Sequence, residues 1–165
     1  FSDYEQSGGV TLDSMIHDLD WARYVFGEPK HIYCQTLQRD KPIRMDYAQA
    51  TMRMKSGLIA TLVGSWAHPE GFRVKTEICG DGGMLVYDSG ETALEQMSRI
   101  EVGTAETIVP GSPVEKSPYQ LEWEDFLAWI EHYTPPRVTP EDGLHAVEMA
   151  TAALRSAATG RRILL

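Results

Sequence analysis

The chain has 165 residues, 42% of them hydrophobic, which suits one compact domain able to bury a core. Its 24 Asp and Glu against 15 Lys and Arg leave a formal net charge of −9. A surface this acidic repels a phosphate backbone and an anionic leaflet, which argues against nucleic acid and membrane as partners. No apolar run approaches the roughly 20 residues of a membrane span, and no basic and apolar leader is visible. Two well-separated cysteines, Cys34 and Cys79, fit a reducing cytoplasm better than a disulfide scaffold. The chain opens at Phe1 almost directly on a glycine turn, an opening that suggests a piece of a longer protein.

In chain order, Gly8-Gly9 leads into a helix expected over 10–26, stopped by Gly27 and barred from continuing by Pro29. Its apolar stripe is Leu12, Met15, Ile16, Leu19, Ala22 and Phe26. The pattern then turns to period two. "HIYCQTLQ" reads as one strand, and "MDYAQATMRMK" and "LIATLVGSW" as two more joined by a two-residue Ser56-Gly57 hairpin. That turn pairs Met54 with Ile59, Met52 with Thr61 and Ala50 with Val63 on a core face. It leaves Thr51, Arg53, Leu58, Ala60 and Leu62 on an open face. "RVKTEIC" and "MLVYDS" follow, linked through "GDGG", with "TALEQM" and "ETIVP" as shorter strands and a Pro- and Ser-rich loop over 110–118.

Two helices close the chain. Ser117-Pro118 with Gln120 starts the first, whose buried stripe reads Tyr119, Trp123, Phe126, Ile130 and Tyr133. Thr139-Pro140, with Glu141 and Asp142 at the positive helix end, starts the second, packing through Leu144, Val147, Thr151, Leu154 and Ala158 up to Gly160. "RRILL" is a short final strand. A helix, a run of antiparallel strands and two more helices indicate an α+β fold: one open, largely antiparallel sheet with helices on one face, in a single domain over 1–165.

Asp13, His17 and Asp20 on the first helix project within roughly 60° of one another, beside Tyr24, at about 100° per residue. The Asp13–His17 spacing lets the carboxylate hydrogen-bond one imidazole nitrogen, fixing the tautomer and raising the basicity of the other, as a proton-transfer pair requires. By spacing alone a solvated helix face with an incidental salt bridge stands ahead of that pair. Asp13, His17 and Asp20 as metal ligands rank last, because one short helix rarely supplies a full set. His68 and Arg73 flank "HPEGFR", a loop that could reach a ligand, though most such loop residues are surface. His31, His132 and His145 have no apparent role. "GDGG" lies between two strand-like segments and reads as a hairpin, since a phosphate cradle must feed a helix. No G-x-G-x-x-G follows a strand, so no dinucleotide site is visible in this chain.

"SGGVTLDSMIHDLDWARYVFG" resembles the G-G-x-x-x-D-x-x-x-H-x-x-D segment of the Gfo/Idh/MocA oxidoreductases, which include glucose-fructose oxidoreductase and inositol dehydrogenase. "FRVKTEICGDGGML" resembles that family's mid-sheet hairpin, and "VTPEDGLHAVEMATAALRSAATGRRILL" its closing helix and strand. The resemblance implies a two-domain enzyme: an N-terminal Rossmann domain that binds NAD or NADP, and a C-terminal domain, like that of glyceraldehyde-3-phosphate dehydrogenase, that shapes the substrate site and usually the oligomer interface. This sequence looks like the second domain alone, expected inactive by itself. The family's catalytic lysine, in a Glu-Lys-Pro segment of the nucleotide domain, has no counterpart here.

On the same resemblance, Asp13 and His17 match the catalytic pair, with His17 acting as general acid/base near a substrate hydroxyl. Asp20 matches the acidic position after them and is expected to meet substrate; the loop reading adds His68 and Arg73 as expected substrate contacts. The implied activity is hydride transfer between NAD or NADP and a sugar, inositol or related polyol. The implied assembly is a homo-oligomer through the open sheet face. The alternative is a non-catalytic oligomerisation or ligand-binding module of the same fold.

Overall fold

The computed structural model describes residues 7–37, 47–67, 72–89, 96–102, 105–111, 116 and 118–165. In chain order these form α1 (Gly9–Asp13), α2 (Met15–Phe26), β1 (Pro29–Leu37), β2 (Tyr47–Met54), β3 (Ile59–Ser65), β4 (Lys75–Gly80), β5 (Gly83–Asp88), β6 (Gln96–Val102), β7 (Ala105–Gly111), α3 (Pro118–His132), α4 (Pro140–Thr159) and β8 (Ile163–Leu164). The fold is α+β with antiparallel pairing throughout the described strands. Contacts gather into two compact units, Phe1–Ala67 with Val138–Leu165, and His68–Arg137.

The first unit holds a four-stranded sheet in the order β3-β2-β1-β8, with α1, α2 and α4 packed on it. Strand alternation puts Ala48, Ala50, Met52 and Met54 of β2 and Ile32 and Cys34 of β1 into the core. Met15, Leu19 and Ala22 of α2 meet them from above, with Leu12, Ile16 and Phe26 at the margin, as the helical stripe predicts. Gly64 of β3 allows the close approach: a Cβ there would sit 3.3 Å from Met15 Cβ and 3.4 Å from Val10 Cγ2. Burial pushes the Cys34 thiol up to about 11, so this cysteine behaves as a small apolar core residue.

The hairpin register differs from the sequence expectation by one residue. Gly57, at φ 98°, donates to Met54 O at 3.0 Å, and Met54 N–H donates to Leu58 O at 2.9 Å, so the loop has three residues, Lys55-Ser56-Gly57. Such a loop ends on a residue with positive φ that forms a bulge, which suits glycine. The added residue pairs Met52 with Ala60 and Ala50 with Leu62, and it turns every β3 side chain over. Leu58 and Leu62 therefore join the core, while Ile59, Thr61 and Val63 face out beside Arg53, Thr51 and Gln49.

α4 follows its expected caps. Thr139 Oγ1 accepts from Asp142 N–H, Asp142 accepts from Thr139 N–H, Pro140 opens the helix and Gly160 closes it at φ 64°. Its buried face is not the expected one. Leu144 and Val147 are exposed, and Ala146, Met149, Ala150, Ala152, Ala153 and Ser156 are buried. Small side chains let α4 lie close to β1 and α2 at once, and a row of branched residues would hold it off. Ser156 completes the fit: its hydroxyl accepts from Cys34 N–H at 2.9 Å and donates to Arg161 O at 2.7 Å. β8 pairs only with His31 and Ile32, so Ser156 satisfies the next free donor along that edge.

The second unit contains the pairs β4-β5 and β6-β7 and the helix α3. Gly80 pairs with Gly83, which confirms "GDGG" as a two-residue hairpin. β6 starts at Gln96, and residues 92–95 of the expected "TALEQM" strand lie outside the described residues, as does Ser117 of the expected cap. The expected burial of the α3 stripe is not found. Tyr119, Trp123, Phe126, Ile130 and Tyr133 are all exposed, because no described element of this unit packs extensively against them.

Candidate functional site

The segment carrying Asp13, His17 and Asp20 is two helices and not one. Ser14, at φ −119° and ψ −52°, interrupts the run; its N–H still reaches Val10 O at 3.0 Å, but His17 N–H donates to Ser14 O at 3.2 Å, three residues back. A serine inside a helix has this option because its side chain competes for local hydrogen bonds. Asp13 thus ends α1 while His17 lies in the first turn of α2. The direct Asp13–His17 hydrogen bond expected from one continuous helix is not made. The Asp13 carboxylate instead accepts from the Ser14 hydroxyl at 3.5 Å, and that hydroxyl accepts the Trp66 indole N–H at 3.2 Å.

His17 is exposed and its ring has no hydrogen-bonding partner among the described residues. Asp13, Asp18 and Asp20 around it are half-buried, and Tyr24 is 82% exposed. Burial holds the Asp18 carboxyl above the ordinary carboxylate value, with the neighbouring His17 pulling weakly the other way. The arrangement is an accessible imidazole beside the half-buried Asp18 carboxyl, which is reluctant to ionise. It can exchange a proton with a hydroxyl brought to the exposed ring.

The remaining expectations separate. Arg73 is held by Asp88 through a two-pronged ion pair, Nε to Oδ1 at 2.8 Å and Nη2 to Oδ2 at 2.6 Å, with Asp88 buried. His68 lies outside the described residues. His145 pairs with Glu148 at 3.1 Å, and His132 approaches Glu131 at 3.8 Å on an exposed helix end. His31 stands on the outer sheet face between Arg53 and Leu164; burial holds it below the ordinary imidazole value, helped by Arg162, Lys30 and Arg53. Among the described residues no group of three His, Cys, Asp or Glu is placed to hold a metal ion. No described helix is long and apolar enough to cross a membrane. Sequence reading missed Ser14 and Trp66; the one local signal was a serine in the middle of a helical pattern.

The chain belongs to the GFO/IDH/MocA C-terminal domain family, whose model matches residues 1–86. It is 29% identical over 167 residues to the uncharacterized oxidoreductase YrbE of Bacillus subtilis, covering 93% of this chain and 47% of that protein. It is 27% identical to the myo-inositol 2-dehydrogenase of Thermotoga maritima, covering 96% of this chain and 50% of that one. A crystal structure of a myo-inositol dehydrogenase from Corynebacterium glutamicum superposes with a TM-score of 0.74 at 26% identity, over 100% of this chain and 52% of that chain. The chain spans about half the length of the relatives it matches.

Proposed function

We propose that this chain is the substrate-side half of an NAD- or NADP-dependent oxidoreductase acting on a sugar, inositol or related polyol. The carrying observation is the exposed His17 imidazole beside the half-buried Asp18, on the D-x-x-x-H-x-x-D segment that also carries Asp13 and Asp20. Family membership and the inositol dehydrogenase relatives support the substrate class. The chain carries no G-x-G-x-x-G fingerprint, so the cofactor belongs to a Rossmann domain outside these 165 residues. A bound nicotinamide supplies a hydride acceptor or donor.

This chain's own task is the proton. His17 takes it from the substrate hydroxyl during oxidation and returns it during reduction. Asp13 supports the charged imidazole across the break at Ser14, and Asp20 meets substrate or steadies the network. His68 and Arg73 are proposed as substrate contacts. The domain works in the cytoplasm. In the full-length enzyme His17→Ala is expected to lower kcat about 10²- to 10⁴-fold, with cofactor affinity nearly unchanged. Near-normal turnover would overturn the assignment and favour the non-catalytic module.

The outer sheet face is proposed as the surface through which copies associate. The observed register gives it Tyr33, Leu37, Tyr47, Ile59 and Val63, each at least 37% exposed, in place of the expected Leu58, Ala60 and Leu62. An apolar surface of this kind suits an interface. Sedimentation at roughly tens of micromolar is expected to show an oligomer that Val63→Glu dissociates. A wild-type monomer would count against the proposal.

A further inference from the structure

We propose that Trp66 and Ser14 form a positioning relay that holds the Asp13 carboxylate at the break between α1 and α2. The inference rests on the reading of Asp13 and His17 as the proton-transfer pair, and it adds two residues that reading does not contain. An indole N–H can only donate, so its 3.2 Å bond fixes the direction of the relay: Trp66 donates to Ser14 Oγ. The hydroxyl proton is then turned away from the indole, and its acceptor is Asp13 Oδ2, 3.5 Å away.

The surrounding packing makes this geometry a property of the fold and not of one loose rotamer. Trp66 follows directly on β3, 52 residues from Ser14, and is half-buried against the core. The buried Gly64, two residues before it, leaves Met15 and Val10 the space that a Cβ would contest at 3.3 and 3.4 Å. This close approach brings the break at Ser14 within reach of the indole. The break itself separates Asp13 from the helix that carries His17, so the carboxylate needs a second anchor to be held near the imidazole. The relay supplies that anchor from the sheet. A carboxylate fixed in this way loses less freedom when the transition state forms.

Two measurements test the relay. The first reads the Trp66 indole N–H by ¹⁵N NMR in the 165-residue chain and in the full-length enzyme, with Trp66→Phe assigning the signal. The signal is expected to move as carboxylates protonate in acid. Asp13→Asn and Ser14→Ala are each expected to abolish that movement, and Ser14→Thr, which keeps the hydroxyl, to retain it. The second measures turnover of the full-length enzyme with myo-inositol and NAD as probes.

Ser14→Ala and Trp66→Phe are each expected to lower kcat about ten- to a hundredfold with KM unchanged. The double variant is expected to lose no more than either alone, because the two act as one unit, and Ser14→Thr is expected to restore the rate. An indole signal indifferent to Asp13→Asn overturns the relay whatever the turnover shows. Normal turnover in both variants, with His17→Ala inactive, overturns the relay and leaves the functional reading standing. Near-normal turnover of His17→Ala, with an intact indole response, overturns the functional reading instead.

Discussion

β2 in the first unit and α3 in the second are both amphipathic, yet they end in opposite surroundings. On β2 every second residue from Ala48 to Met54 is at most 1% exposed, in one core with Met15 and Leu19 of α2 and Met149 and Ala150 of α4. On α3 the apolar stripe is as regular, but Trp123 is 63% and Ile130 56% exposed. Trp123, Phe126 and Trp129 meet only edge to face along their own helix, with centroids 6.1 and 6.3 Å apart. In the second unit the buried Asp88 is a charged residue, held by an ion pair. Periodicity therefore states which side of an element is apolar. A core needs a second element to cover that side.

The sharpest way to break this contrast is to delete one apolar side chain in each unit. Leu19→Ala removes a fully buried side chain at the centre of the first core, and urea unfolding is expected to register a loss of about 2–5 kcal/mol. Trp123→Ala is expected to stay within about 0.5 kcal/mol, as surface changes do. A loss at Trp123 equal to that at Leu19 would mean that α3 has a covered core face after all.

A smaller effect separates the anchors of the first unit from its core. Arg23 bridges Glu28 and Asp142, with Nη1 to Asp142 Oδ1 at 2.8 Å, and so ties the end of α2 to the start of α4. The Arg23 guanidinium first, then the Thr139 backbone and hydroxyl, hold the Asp142 carboxyl well below the usual carboxylate range. A carboxylate whose folded pKa is depressed contributes stability above its unfolded value and loses it as pH falls toward the folded one. Asp142→Asn is therefore expected to lower Tm at neutral pH. The gap to wild type is expected to shrink as pH drops below the ordinary carboxylate range, and a gap independent of pH would assign the effect to the Thr139 cap alone.

What the sequence determined by itself is local. Thr139, Pro140, Asp142 and Gly160 announce both ends of α4; the glycines at 80–83 announce a tight hairpin; the spacing of Met15, Leu19 and Ala22 announces the face of α2 that is buried. Each depends on neighbours within a few residues, whose hydrogen bonds and sterics travel with the chain. The Asp13, His17 and Asp20 segment is legible for the same reason, and its resemblance led to the right family. Tertiary structure decided the rest. One extra residue in the Lys55–Gly57 turn exchanged the faces of β3, because a strand alternates with period two. The choice between the leucine and alanine faces of α4 went to the smaller, since only that face lets a helix touch β1 and α2 together. The break at Ser14 and its bond to Trp66 join positions 52 residues apart, and such a contact forms only once α2 is laid across β3 at Gly64.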